Sequence, residues 1–178
     1  MTRLKTHEDR ANDLDLMIRP SNTGGFTAIA LIDSSTYSRW YARLLSTLVV
    51  VTEGDALEFA YADAHGRTVK QAPEVTVFTD NNVIVASVES LSDDAVPDVV
   101  MVPRSSLVSL SIGVSGEVDA SDRGKYEWPG TMSISLKYPG LAKTVELKGE
   151  GYDAFRPDGP APFWAFVAEL KKDLGRSS

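Results

Sequence analysis

Cysteine is absent from the 178 residues of this chain. Disulfide staples, thiolate zinc sites and a cysteine nucleophile are therefore excluded, and the chain fits a reducing compartment. Histidine is scarce, with only His7 and His65. A Ser-His-Asp relay would have to run through one of them, and no Gly-x-Ser-x-Gly elbow is present to hold a serine. Nothing approaches the roughly 20 apolar residues of a membrane-spanning helix, and the opening MTRLKTHEDR lacks the apolar stretch of a signal peptide. Cations are outnumbered, 18 Lys and Arg against 25 Asp and Glu, for a net charge of −7. Attraction to phosphate backbones or anionic lipid needs the opposite balance. The expectation is a soluble, cytoplasmic chain with no nucleic-acid partner, and the charge argues against membrane binding.

Chemical motifs are equally sparse. Gly113 to Gly116 and Gly149 to Gly151 lack both the Lys-Ser/Thr pair of a phosphate loop and the strand and helix around a dinucleotide fingerprint. The acids Glu117, Asp119 and Asp122 resemble a calcium loop only loosely, without its sixth-position glycine and terminal glutamate. Asp93, Asp94 and Asp98 with Glu89 form a second acidic run with no evident balancing base, read as a solvated loop. No catalytic residue, metal or cofactor is expected, and the chain is read as a non-enzyme.

What the sequence does hold is alternation. At 43% hydrophobic and 24% charged it has the composition of a globular chain, read as one domain with an appended N-terminal segment. Residues 1–33 read as a partly flexible arm: Thr6 and Asp9 could start a short helix, but Leu14, Leu16 and Met17 are irregularly spaced. Residues 34–51 read as an additional amphipathic helix, with Tyr37, Trp40, Tyr41, Leu44, Leu45 and Leu48 on one stripe and Ser34 or Ser35 as cap. About seven strands follow from Leu57 to Leu147. A hairpin is placed at Thr79-Asp80-Asn81-Asn82, whose Asp and Asn favour positive φ, and Val108, Leu110, Ile112 and Val114 alternate with small residues. Pro162 opens a last helix with the stripe Phe163, Phe166, Val167, Leu170 and Leu174, and Gly175 closes it. The expected fold is mainly β with α: a bent antiparallel sheet, or a partly open barrel, capped by the C-terminal helix. If the helix closes the sheet, Trp164 or Phe166 should be buried.

Three stretches resemble the pleckstrin-homology-like family, in particular its bacterial PH and GRAM-like domains. Val75 to Asp80 followed by Val83 to Ala86 is similar to the family's strand, Thr-Asp, strand hairpin. Met101 to Ile112 is similar to its Ile-Pro-x-x-x-Ile-x-x-Val segment, and Lys143 to Leu147 with Phe163 to Val167 to its final strand and helix. The resemblance spans residues 52–174, within a PH-like domain expected at 52–175, and implies ligand, lipid or protein binding, with oligomers among bacterial members and no specific activity.

The binding residues follow from these readings. Tyr37, Trp40 and Tyr41 on the additional helix, and Tyr126 and Trp128 in the long connection at 115–130, are the expected partner contacts. The helix aromatics read as core or inter-subunit packing in preference to a ligand cage. Arg67 and Lys70 stand where lipid-binding PH domains hold phosphate, and are either an anion or lipid contact or two ordinary surface cations. The leading expectation is a binding or assembly module acting on a protein partner or on itself. The alternative is a carrier enclosing a small ligand or lipid, against which stand the bulky Phe59, Tyr61, Leu110, Ile112, Met132 and Leu136.

Overall fold

Thr6 starts the first helix. Its hydroxyl accepts from the Asp9 N–H at 3.1 Å while the Asp9 carboxylate accepts from the Thr6 N–H at 2.9 Å, a reciprocal cap for donors that a helix start leaves over. The structure, a computed structural model, describes residues 6–19, 30, 37–63, 73–114, 132–149 and 163–174. The chain divides into two compact units, Met1–Met101 and Val102–Ser178.

In the first unit, α1 (His7–Ile18) buries Leu14, Asp15 and Ile18. From residue 7 to 18 the expected arm is thus a core helix. Its apolar spacing looks irregular because a buried carboxylate, Asp15, stands among the apolar positions. The second helix, α2 (Arg39–Val51), begins at Ser38 and buries Trp40, Tyr41, Leu44, Leu45, Leu48 and Val49. Its end is closed from outside. The Arg10 guanidinium of α1 donates to the carbonyls of Thr52 and Asp55, the latter at 2.7 Å, oxygens without an intrahelical partner. Gly54, at φ +88°, takes the left-handed turn that a side chain would strain.

Both helices lie on a four-stranded antiparallel sheet of order β1-β2-β3-β4, formed by β1 (Leu57–Asp63), β2 (Glu74–Thr79), β3 (Asn82–Val88) and β4 (Pro97–Pro103). Register puts Ala60, Val77 and Ile84 in one row and Ala62, Val75 and Ala86 in the next. All six are buried in one core with Leu14, Ile18 and the α2 stripe. The small alanines on β1 leave room for the helices. The other face is buried too: Phe59 opposes Phe78, with rings 6.2 Å apart, and Phe78, Val83 and Tyr61 have almost no exposure.

The hairpin between β2 and β3 falls where expected but is built differently. No described non-glycine residue has positive φ. Instead the Thr79 hydroxyl accepts from the N–H groups of Asn81 and Asn82, at 3.3 and 2.8 Å, and donates to Asp55 at 2.9 Å. Asp55 also accepts from the Asn82 amide at 2.9 Å. The Asn82 bond, with help from Thr79, Asn81 and the Arg10 charge, holds the Asp55 carboxyl below its ordinary value. A carboxyl depressed in the folded chain stabilises it above the unfolded value of about 4, and that contribution disappears as pH falls through the folded value. The urea midpoint of Asp55→Asn should therefore lie below wild type at pH 7, and the gap should close on acidification. A gap that stays constant with pH would remove the charge from the account.

In the second unit a 3-10 turn, Arg104–Ser106, follows β4. Pro103 has no N–H to donate and so ends the ladder. Next come β5 (Ser109–Val114), β6 (Met132–Lys137) and β7 (Val145–Gly149), an antiparallel sheet of order β5-β6-β7. The turn at Pro139-Gly140 approaches Val102 so closely that a Cβ on Gly140 would stand 2.6 Å from its Cγ1. Helix α3 (Phe163–Leu174) lies against the 3-10 turn and β5, and buries Phe166, Val167 and Leu170. The architecture is mixed α/β: seven strands and three α-helices among the described residues, in two open sheets. The antiparallel strands and the C-terminal helix are as expected, but the described strands form two sheets in place of one bent sheet, and these are not closed into a barrel.

Candidate functional site

The second sheet has one polar and one apolar face. Ser111, Ser135 and Glu146 share a row of the polar face, where the Ser135 hydroxyl donates to Glu146 at 2.9 Å. On the apolar face the rows are Leu110, Leu136 and Val145, then Ile112, Ile134 and Leu147. Burial falls away across these rows. Ile134, Leu136 and Leu147 are fully buried, whereas Ile112 is 39%, Val114 50% and Val108 54% exposed. The alternation of β5 promises a buried face, but the strand is at the sheet's edge and keeps neighbours on one side only.

Four strands end the two sheets: β1, β4, β5 and β7. Edge strands invite pairing unless charge, proline or a bulge blocks it. β1 carries Glu58, Asp63 and a register shift between Leu57 and Phe59. β4 holds Pro97, Asp98 and Pro103, and β7 holds Glu146 and Lys148. β5, with the sequence SLSIGV, has neither charge nor proline. Of the other exposed apolar residues, Leu16 on α1 and Val50 on α2 sit on helices with no free backbone groups to offer, and Val100 and Met101 sit on β4 between Pro97-Asp98 and Pro103.

Two buried polar clusters hold the units together internally. In the first, the Asp15 carboxylate accepts from the Tyr41 hydroxyl at 2.9 Å, from Tyr37 at 3.0 Å, and pairs with Arg19. Burial, reinforced by the Asp15 charge, pushes the Tyr41 phenol far above its ordinary value. In the second, Arg104 Nε lies 2.6 Å from Asp173 Oδ2, both side chains almost wholly buried, and the guanidinium sits 5.8 Å from the Phe166 ring centre. Beside them the buried Tyr138 hydroxyl has no hydrogen-bond partner among the described residues. Burial first, and the Asp173 charge second, pushes that phenol upward.

The residues singled out from sequence are distributed as follows. Trp40 and Tyr41 are buried in the first unit's own core, and Tyr37 is half-buried over Tyr41 with its ring edge-on at 5.4 Å. The aromatic stripe expected to meet a partner thus faces inward, because the sheet beneath needs an apolar cover. Outward, α2 presents Arg39, Arg43, Ser46 and Val50. Tyr126, Trp128, Arg67, Lys70, His65 and the acids at 117–122 lie outside the described residues. His7 begins α1, 3.8 Å from Glu53 with both exposed. The acidic run does have a base nearby, since Arg39 Nε is 3.8 Å from Asp93. Phe166 is buried as expected of a helix that covers a sheet.

Asp15, Arg104 and Asp173 were not singled out from sequence. Asp173 could have been: it falls seven residues after Phe166 and three after Leu170, on the apolar stripe, where a charge signals a buried partner.

Among the described residues no helix is long and apolar enough to cross a membrane, and no group of three or more His, Cys, Asp or Glu side chains could hold a metal ion. Comparison with protein-family models finds no match, and comparison with curated proteins finds none either. Among solved structures, the chain is similar to the hSac2 domain from human phosphoinositide phosphatase Sac2, at 13% identity and a TM-score of 0.38, covering 82% of this chain and 87% of that one.

Proposed function

We propose that this chain is a non-catalytic binding module of the PH-like kind, acting through protein–protein contacts at the edge of β5. The carrying observation is the half-exposed apolar set of Ile112 and Val114 on an edge strand free of charge and proline, with Val108 directly before it. Seven strands followed by a C-terminal helix among the described residues is the element order on which the PH-like resemblance rests. An added strand would supply backbone partners along β5, and its alternate side chains would cover the apolar row, which is how strand addition divides affinity from specificity.

The test uses dilute chain and a fluorophore-labelled peptide of alternating Thr and Val. Wild type should bind it saturably, Ile112→Lys should weaken binding at least about tenfold by placing a charge in the row, and Val50→Lys on α2 should leave it unchanged. Equal binding by wild type and Ile112→Lys, or no binding by either, would remove β5 as the contact surface.

A further inference from the structure

The sequence of β5 reads almost the same in both directions. From Val108, the residue before the strand, to Val114 the order is Val, Ser, Leu, Ser, Ile, Gly, Val: Ser111 at the centre, aliphatic residues one and three positions to either side in a mirrored arrangement, and small residues two positions away. We infer that the occupant of the β5 edge is a second copy of this chain, joined antiparallel about a two-fold axis through Ser111. The inference rests on the strand-addition reading above.

Four observations carry it. Among the described residues β5 is hydrogen-bonded to β6 and to no other strand, so alternate backbone N–H and C=O groups along its outer edge have no ladder partner among them. A two-fold axis at Ser111 sets Val108 against Val114 of the partner subunit, Leu110 against Ile112 of the partner subunit, and Ser109 against Gly113 of the partner subunit. Every aliphatic residue then meets an aliphatic residue and every small residue a small one, with the partly exposed row covered on both copies at once. An axis perpendicular to the sheet also keeps both apolar faces on the same side, so the two three-stranded sheets would continue as one six-stranded sheet.

Charge supplies the fourth argument. Each copy carries −7, so two copies repel over most of their surfaces. The other edge strands hold acidic residues: Glu58 and Asp63 on β1, Asp98 on β4, and Glu146 on β7. Self-pairing about the centre of β1 would set Glu58 against Ala62 of the partner subunit, and about that of β4 Asp98 against Val102 of the partner subunit, each a carboxylate against an apolar residue. On β7 Glu146 would meet Lys148 of the partner subunit around Leu147, which is already fully buried within its own unit. β5 is an edge on which two copies can meet with no charge in the seam and with exposed aliphatic residues to cover.

The lack of cysteine permits a direct test of register. Directly opposed residues of antiparallel strands have Cα atoms about 4.5–5.5 Å apart, within the range a disulfide spans. Under mild oxidation Ser111→Cys should therefore give a covalent dimer in high yield. Ile112→Cys, whose opposite number is position 110 of the other copy, should cross-link far more slowly. Light scattering on the uncross-linked wild type should show a mass moving toward twice 19.3 kDa as concentration rises. Ile112→Lys and, independently, Val114→Lys should stay monomeric, with circular dichroism confirming that each is folded.

A wild type that remains monomeric at every concentration, with no preference for cross-linking at position 111, would overturn self-pairing. If the labelled peptide still bound under those conditions, strand addition would stand and the second copy alone would be excluded. If the peptide failed as well, both readings would fall. A dimer that forms but cross-links faster at 112 than at 111, or survives both lysine substitutions, would place the interface away from this axis and equally overturn the inference.

Discussion

Asp173→Ala should cost about 3–5 kcal/mol of unfolding free energy, because it leaves the Arg104 guanidinium without its carboxylate in a nearly water-free position. The geometry is tight: 2.6 Å between Nε and Oδ2, with both side chains at or below 5% exposure. The pair ties α3 to the 3-10 turn, the same contact that seats Phe166 under the guanidinium. Denaturant unfolding measures the loss, and the double variant Arg104→Met with Asp173→Leu separates its causes. Apolar residues of similar volume avoid burying either charge, so the double variant should recover most of the stability lost by the single one. A single variant within about 1 kcal/mol of wild type would mean that the pair is solvated in solution and that α3 is held by its apolar stripe alone.

Asp15→Leu should be the second large loss, about 3 kcal/mol, since it removes the acceptor shared by two phenolic hydroxyls and a guanidinium. The site is a meeting point of α1 and α2, with Tyr41 on α2 fully buried and Asp15 on α1 at 1% exposure. Asp15→Asn retains an oxygen acceptor but not the charge, so it should fall between wild type and Asp15→Leu. Near-UV circular dichroism reports on the Tyr41 and Trp40 rings directly. An Asp15→Asn variant as unstable as Asp15→Leu would assign the effect to charge, and one equal to wild type would assign it to hydrogen bonding alone.

Much of the secondary structure was legible because burial imposes a period on each element. The stripe from Trp40 to Leu48 and the stripe from Phe166 to Leu170 both read as helices, and the alternations at Leu57, Val75, Val83, Leu110, Met132 and Val145 read as strands. Period says that a face is covered, but not by what. Trp40 and Tyr41 therefore could be assigned to a partner as readily as to the sheet they cover. The division into two open sheets was not legible either, since hairpin pairing is local while closure depends on what happens at Pro103 and beyond. The first helix was hidden by Asp15, whose burial depends on Tyr37 and Tyr41 more than twenty residues away. Candidate sites suffered most. The surface that the structure offers, at Val108, Ile112 and Val114, was read as an ordinary core face because alternation carries no information about whether a strand ends a sheet. The three other edges are legible as edges by their Pro, Asp, Glu and Lys, whereas β5 lacks any such mark.

The position of β2 within its sheet sets the mutational latitude of the whole strand. With β1 and β3 on its flanks and both faces covered, Val75, Val77, Phe78 and Thr79 have no exposure and Thr76 only 4%. Beyond the half-buried Glu74 at its start, no point along it admits a charge without stranding that charge in the core. β5 is chemically similar, alternating aliphatic and small residues, yet one of its edges is open. Sequence drift in this chain is thus confined by sheet position more than by residue type: β2 can change only among side chains of matched volume, while β5 can gain or lose a charge and stay folded. A lineage could in this way switch the β5 edge between open and blocked by single substitutions, at little cost to the core that supports it.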